Sequence, residues 1–199
     1  MHARLYLVLT PQACRRDPVA TAVAAIEGGA DMVQLRDKQA TDDAFLDLAR
    51  ALADVCRPRG IPLVLNDRVH LVEAAGADGV HVGEDDAPPE AIDPRLLIGL
   101  STHDRAGAKA ARGRGAKYVG IGPMFPTATK DLTRAPGGTT LLRDVLTATD
   151  LPVFPIGGIT AENAPQLIAA GATRLAVSSA ICGANDPCAA AARLRRLLG

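Results

Sequence analysis

Eight short apolar runs recur along this chain, separated by stretches with helical spacing, and that alternation narrows the possible folds more than any other feature. The runs are Leu5 to Leu9, Met32 to Leu35, Pro62 to Leu65, Gly79 to Val82, Leu96 to Leu100, Tyr118 to Ile121, Pro152 to Ile156 and Leu175 to Val177. Ala-rich segments such as Val19 to Ile26, Ala44 to Val55, Arg105 to Arg112, Leu141 to Leu146 and Ala164 to Ala170 lie between them, and Ala189 to Leu198 follows the last. Strands alternating with helices predict β/α units and a parallel sheet. A Gly-Ala pair stands before four of the runs, at Gly29-Ala30, Gly76-Ala77, Gly115-Ala116 and Gly171-Ala172. Glycine just past a helix accepts the positive φ that ends it, so each pair marks a helix handing over to a strand. About eight such units close a barrel. The expected fold is therefore α/β, a single (β/α)8 TIM barrel domain over residues 1–199. The alternative, an open doubly wound sheet, usually carries an early Gly-rich nucleotide loop. The segment Thr10 to Arg16 has no glycine.

Composition removes several partners. Lys plus Arg and Asp plus Glu both number 22, so no net charge draws the chain to nucleic acid or to an acidic membrane. Aromatic residues make up 3% with no Trp, too few for base-stacking platforms. Cys14, Cys56, Cys182 and Cys188 form no C-x-x-C pair, and the expectation is reduced thiols in a cytoplasmic protein. No signal peptide and no apolar run long enough to span a bilayer is expected. Any anion recognition must be local.

In a barrel of this kind the chemistry sits at the carboxy-terminal strand ends. After the second run, Gln34, Arg36 and Lys38 share one face of the strand, an amide and two cations that suit an anion or that pair with nearby carboxylates. After the third comes Asn66-Asp67, and after the fourth an acidic stretch, Glu84-Asp85-Asp86. Neighbouring strands would bring Asp67 near that stretch. Converging carboxylates repel unless neutralised, and Mg²⁺, which takes one or two carboxylates and completes its shell with phosphate oxygens, is the natural neutraliser. Asp85 or Asp86 would otherwise cap a short helix near Pro88-Pro89. Ser101 or Thr102 follows the fifth run, either as a ligand group or as a helix N-cap. His81 and His103 each lack a carboxylate at motif spacing, which argues against a catalytic acid-base role. After the sixth run, residues 122–138 form a long polar loop that reads as a flap over ligand. After the seventh and eighth, Gly157-Gly158 and Ser178-Ser179 suit a backbone cup for a phosphate group. Two anion sites are thus expected on one rim, a cup at strands seven and eight and a cationic, metal-bearing site at strands two to four.

The order and spacing of these pieces resemble the thiamine-phosphate synthase family. The resemblance rests on Tyr6-Leu7, Gln34 to Lys38, Asn66-Asp67, Gly79 to Asp86, Gly99 to His103, Tyr118 to Lys130, Ile156 to Thr160 and Ser178 to Ile181. It implies a transferase that condenses 4-amino-2-methyl-5-(diphosphooxymethyl)pyrimidine with a thiazole phosphate, giving thiamine monophosphate and diphosphate. By position it implies pyrimidine diphosphate binding by Gln34, Arg36, Lys38, Asn66, Ser101 and Lys130, with Arg36, Lys38 and Lys130 stabilising the leaving charge. It implies Mg²⁺ on Asp67 and Asp86, and thiazole phosphate on Thr127, Thr129, Gly158, Ser178 and Ser179. It also implies a dissociative route, in which a pyrimidine cation forms and the thiazole nitrogen captures it. Glu84 stands where Gln is frequent in the family, and Asp131-Leu132 follows Lys130 where many members carry another Lys. A thiazole tautomerase on a similar barrel and a non-catalytic phosphate sensor are the rival readings. The sequence leaves oligomeric state open.

Overall fold

The fold is known from a computed structural model that describes residues 2–83, 86–127 and 135–199. Eight parallel strands form one sheet: β1 (Leu5–Leu9), β2 (Met32–Leu35), β3 (Leu63–Asn66), β4 (Gly79–Val82), β5 (Leu97–Thr102), β6 (Tyr118–Ile121), β7 (Val153–Pro155) and β8 (Leu175–Val177). Their order is β7-β6-β5-β4-β3-β2-β1-β8, and β7 and β8 approach one another to close the ring without a hydrogen-bonded ladder between them. This is the expected (β/α)8 barrel. All eight strands fall on the apolar runs, with ends shifted by no more than two residues.

Helices α1 (Pro18–Glu27), α2 (Asp42–Cys56), α3 (Val72–Ala75), α4 (Arg105–Ala111), α5 (Gly138–Leu146), α6 (Ala164–Ala169), α7 (Ser179–Cys182) and α8 (Pro187–Leu197) surround the strands. One expected β/α unit lacks its helix. Between β4 and β5 only a 3-10 turn forms over Pro89–Ala91 among the described residues. Pro88, Pro89 and Pro94 in that short stretch remove the amide donors and restrict the dihedrals a helix needs. The four Gly-Ala pairs behave as expected. Gly29, Gly76, Gly115 and Gly171 all have positive φ. In each case the alanine amide bonds back five residues, as in Ala30 N to Ala25 O at 2.9 Å and Ala172 N to Leu167 O at 2.9 Å, the Schellman closure.

Side-chain alternation divides the core in two. Leu5, Leu7 and Leu9 of β1, Val33 and Leu35 of β2 and their counterparts face the helices. Tyr6, Met32, Val64, Tyr118, Phe154 and Ala176 fill the barrel interior. Register then sets the inward polar residues around the ring: Val8 lies opposite Gln34, Asn66 opposite His81, His81 opposite Gly99, and Ser101 opposite Gly120.

Candidate active site

A cavity of about 380 Å³ opens at the carboxy-terminal ends of the strands. Gln34, Arg36, Lys38, Asn66, Asp67 and Asp86 line one side of it. Ser101, Thr127, Gly158, Ser178 and Ser179 are also in its lining. Of the residues expected at the site, Thr129 and Lys130 lie outside the described residues, as do Glu84, Asp131 and Leu132. Asp37 and Leu35 are not among the lining residues, as the two-residue period of the strand requires.

The acidic and cationic side is built at the ends of β2 to β4. Asp67 has φ 63°, the one non-glycine residue in the left-handed region among those described. Aspartate tolerates that region better than most residues, and such strain gathers at functional sites. Its amide donates to His81 O at 2.9 Å, and its own carbonyl accepts from Val69 N at 2.9 Å, so the turn is pinned to β4. The side chain meets Lys38 Nζ at 3.3 Å. Burial pushes the Asp67 carboxyl above its usual range, the neighbouring Asp86 carboxyl pushes the same way, and Lys38 partly opposes both. Asp86 is held in turn by the Gly83 amide, which donates to its Oδ2 at 2.7 Å. It does not cap the turn at Pro89, whose N-cap position is Pro88. Among the described residues no group of three or more His, Cys, Asp or Glu side chains gathers around a point. A carboxyl whose charge burial and a second carboxyl disfavour, beside a cavity open to ligand oxygens, matches the needs of Mg²⁺ rather than of a metal with an all-protein shell. Arg36 is half-buried, and no hydrogen bond or ion pair engages its guanidinium among the described residues.

The floor is a hydrogen-bonded run that links five strands. Gln34 Nε2 donates to Tyr6 OH. The Tyr6 and Tyr118 hydroxyls are 2.8 Å apart. Tyr118 OH lies 3.2 Å from His81 Nδ1, and His81 Nε2 lies 2.9 Å from Ser101 Oγ. Tyr6 and Tyr118 also pack edge-on against Phe154. These two tyrosines, the only ones in the chain, carry no site role in the sequence reading. Alternation on β1 and β6 points both inward, which was the available signal. The space is made by glycine. A Cβ on Gly99 would lie 2.3 Å from Tyr118 OH and 2.4 Å from His81 Nδ1, and one on Gly120 would lie 3.1 Å from His81 Cε1. Ser101 is thus bound to His81 and caps no helix. The cap of α4 is Asp104, which accepts from Gly107 N at 2.8 Å. His103 lines the cavity with Nδ1 3.0 Å from Gly122 O.

The opposite side lies at the β7–β8 seam. Gly157 and Gly158 have φ of 100° and 64°. A Cβ on Gly158 would sit 2.4 Å from Pro126 O, so only glycine lets the turn tuck beneath the loop after β6. That loop is stitched at its base, with Met124 N to Ile156 O at 2.9 Å, Phe125 N to Gly157 O at 3.0 Å and Gly137 N to Pro123 O at 2.9 Å. Asn163 Nδ2 donates to Gly158 O at 2.8 Å and fixes the turn. Ser178 Oγ donates to Thr10 Oγ1 at 3.2 Å, tying β8 to the end of β1. Among the described residues the amides of Gly158, Ile159 and Ser179 donate to no protein acceptor, which leaves a set of backbone donors facing the rim.

The chain matches the family model described as thiamine monophosphate synthase over residues 5–181. A thiamine-phosphate synthase of Albidiferax ferrireducens is 44% identical over 201 residues, covering 98% of this chain and 91% of that protein. A thiamine phosphate pyrophosphorylase of Pyrococcus furiosus superposes with a TM-score of 0.89 at 33% identity, covering 98% of this chain and 95% of that one. A 3-hexulose-6-phosphate synthase shares the fold at a TM-score of 0.68 and 21% identity.

Proposed function

This chain belongs to the thiamine-phosphate synthase family and condenses a pyrimidine diphosphate with a thiazole phosphate, and we propose that its rim divides that work between two anion sites. The diphosphate site comprises Gln34, Arg36, Lys38, Asn66 and Ser101, with Lys130 added by family resemblance. The thiazole phosphate site comprises Thr127, Gly158, Ser178 and Ser179, with Thr129 added in the same way. The observation that carries this division is the single cavity whose one wall holds Arg36 and Lys38 beside Asp67 and Asp86, and whose other wall is glycine and serine backbone.

The chemistry breaks the carbon–oxygen bond to the leaving diphosphate and joins the pyrimidine methylene carbon to the thiazole nitrogen. Asp67 and Asp86 are the residues that would hold Mg²⁺, which when bound offsets negative charge growing on the diphosphate. Arg36, Lys38 and Lys130 supply fixed positive charge for the same purpose. Gln34 and Ser101 orient the pyrimidine, while Val8, Phe154 and Ile156 present apolar surface that keeps water from the electron-poor carbon. A protein nucleophile has no part in this scheme. Residues 1–199 act as one barrel domain. No helix among the described residues is long and apolar enough to cross a membrane. We place the reaction in the cytoplasm, in line with four cysteines that stand as thiols.

The test is product formation with purified protein. Thiamine monophosphate and diphosphate should appear from the two precursors with Mg²⁺ and not after chelation. Equal turnover in metal-free buffer would remove Asp67 and Asp86 from their role.

A further inference from the structure

Gln34 on β2 and Ser101 on β5 face the cavity from different walls, and one run of hydrogen bonds joins them beneath its floor. The interior members are two phenols and an imidazole, and within this run each has one proton to give and one position at which to accept. Tyr6 accepts from Gln34 Nε2, so its own proton finds a partner only by going to Tyr118. Tyr118 then donates to His81 Nδ1, and in a neutral imidazole this places the ring proton on Nε2. Nε2 donates to Ser101, whose hydroxyl proton is left for the cavity. Only this sense and its complete reversal satisfy every member. A mixed run would strand a buried hydroxyl or ring nitrogen, which is the costly outcome. Both tyrosines are fully buried, and burial holds their hydroxyls protonated far beyond neutral pH. The two ends are therefore locked as a pair. With Gln34 Nε2 turned to Tyr6, its carbonyl Oε1 is the acceptor left for ligand, and Ser101 is the donor.

We propose that Tyr6, Tyr118 and His81 are positioning residues that fix the hydrogen-bonding sense of the pyrimidine subsite, and that this selects a 4-aminopyrimidine over its 4-oxo counterpart. The inference rests on the reading that Gln34 and Ser101 face the pyrimidine ring. A 4-aminopyrimidine donates from its exocyclic amine and accepts at its ring nitrogens. The 4-oxo ring accepts at its exocyclic oxygen and donates from the adjacent ring nitrogen, so it asks for the opposite sense at both ends. The floor can meet that demand only if all four links and the Gln34 amide turn over together.

Binding is the appropriate readout, because the ring substituent also changes reactivity. Calorimetric titration of the 4-amino and 4-oxo pyrimidine diphosphates into wild-type protein with Mg²⁺ should favour the amino form by about 30-fold or more, the effect of two reversed hydrogen bonds. Tyr118→Phe and Tyr6→Phe each remove one member of the run and, with its hydroxyl, two of the four links. In both, the preference should fall to within about threefold through loss of amino affinity. Inorganic diphosphate should bind wild type and variants alike. Because the two variants remove different members of the run, either one suffices if the other does not fold. A preference kept in a folded variant overturns the relay, and so does equal affinity of wild type for both rings. If wild type binds inorganic diphosphate but neither pyrimidine, the placement of the ring at Gln34 and Ser101 is itself wrong, and the inference falls with it.

Discussion

Asp67 is a single residue held at some expense to the fold. It sits in the left-handed region and beside a second carboxyl, with a pKa raised chiefly by burial. A carboxyl whose pKa is higher folded than unfolded stabilises the fold only while protonated. That contribution is complete below the unfolded value, about 3.9, and disappears as pH rises through the folded value. Asp67→Asn, which keeps a residue tolerant of positive φ, should thus melt higher than wild type at pH 7 in metal-free buffer. The gap should close as pH falls to about 4. The same variant should lose about 100-fold or more in kcat with Mg²⁺ present. A lower melting temperature at pH 7 would show that the Lys38 contact outweighs burial. On the other wall, Ser179→Ala should mainly raise KM for the thiazole phosphate with kcat little changed, as expected of a group that grips ground state and transition state alike. Parallel loss in kcat would give Ser179 a part in the reaction step. Gly99→Ala tests the floor directly. Its Cβ would overlap Tyr118 and His81, and urea unfolding should show a loss of about 1–3 kcal/mol.

Elements meet at joints that recur. Two of the Gly-Ala pairs continue into aspartates that bind the start of a strand. Asp31 Oδ1 accepts from Arg4 N and Leu5 N, both at 2.8 Å, and Asp78 Oδ2 accepts from Leu63 N at 2.8 Å. Each joint satisfies amides at a strand entrance, where the sheet ladder has not begun. Asp31→Ala should cost about 2–3 kcal/mol in urea unfolding with an unchanged slope, because it leaves partly buried amides without a charged acceptor. A loss under about 0.5 kcal/mol would mean that water replaces the carboxylate. The strands and most helices were legible because period and helix-end chemistry are local. The missing helix before β5 is legible too, because Pro88, Pro89 and Pro94 leave room for no more than a 3-10 turn there.

At the scale of the whole molecule, the barrel is hydrogen-bonded everywhere except at its seam. The β7–β8 gap is where the glycine-rich turn and the Ser178-Ser179 pair converge. A phosphate held by both walls would bridge strands that share no ladder. Thiazole phosphate at about 100 times its Kd should add about 2.7 kcal/mol of stability. For a chain of this size that corresponds to a Tm rise of about 5–10 °C. Amide exchange should slow most in β7, β8 and the turns that follow them. Slowing confined to β2–β4 would put the thiazole phosphate on the wrong wall.

The sequence by itself determined the eight strands, the faces they turn inward and the Gly-Ala joints, because each is written within a few residues. It also placed Gln34, Arg36, Lys38, Asp67 and Ser178 on the rim, since strand ends and alternation locate them. Only the tertiary structure decided what the floor is. Tyr6 and Tyr118 are 112 residues apart, and His81 looks solitary in the sequence. Barrel closure and strand register bring their polar atoms together, and the two glycines leave room for them. No local pattern records a contact between side chains that meet across the axis of a closed sheet, so the run that joins Gln34 to Ser101 appears only in three dimensions.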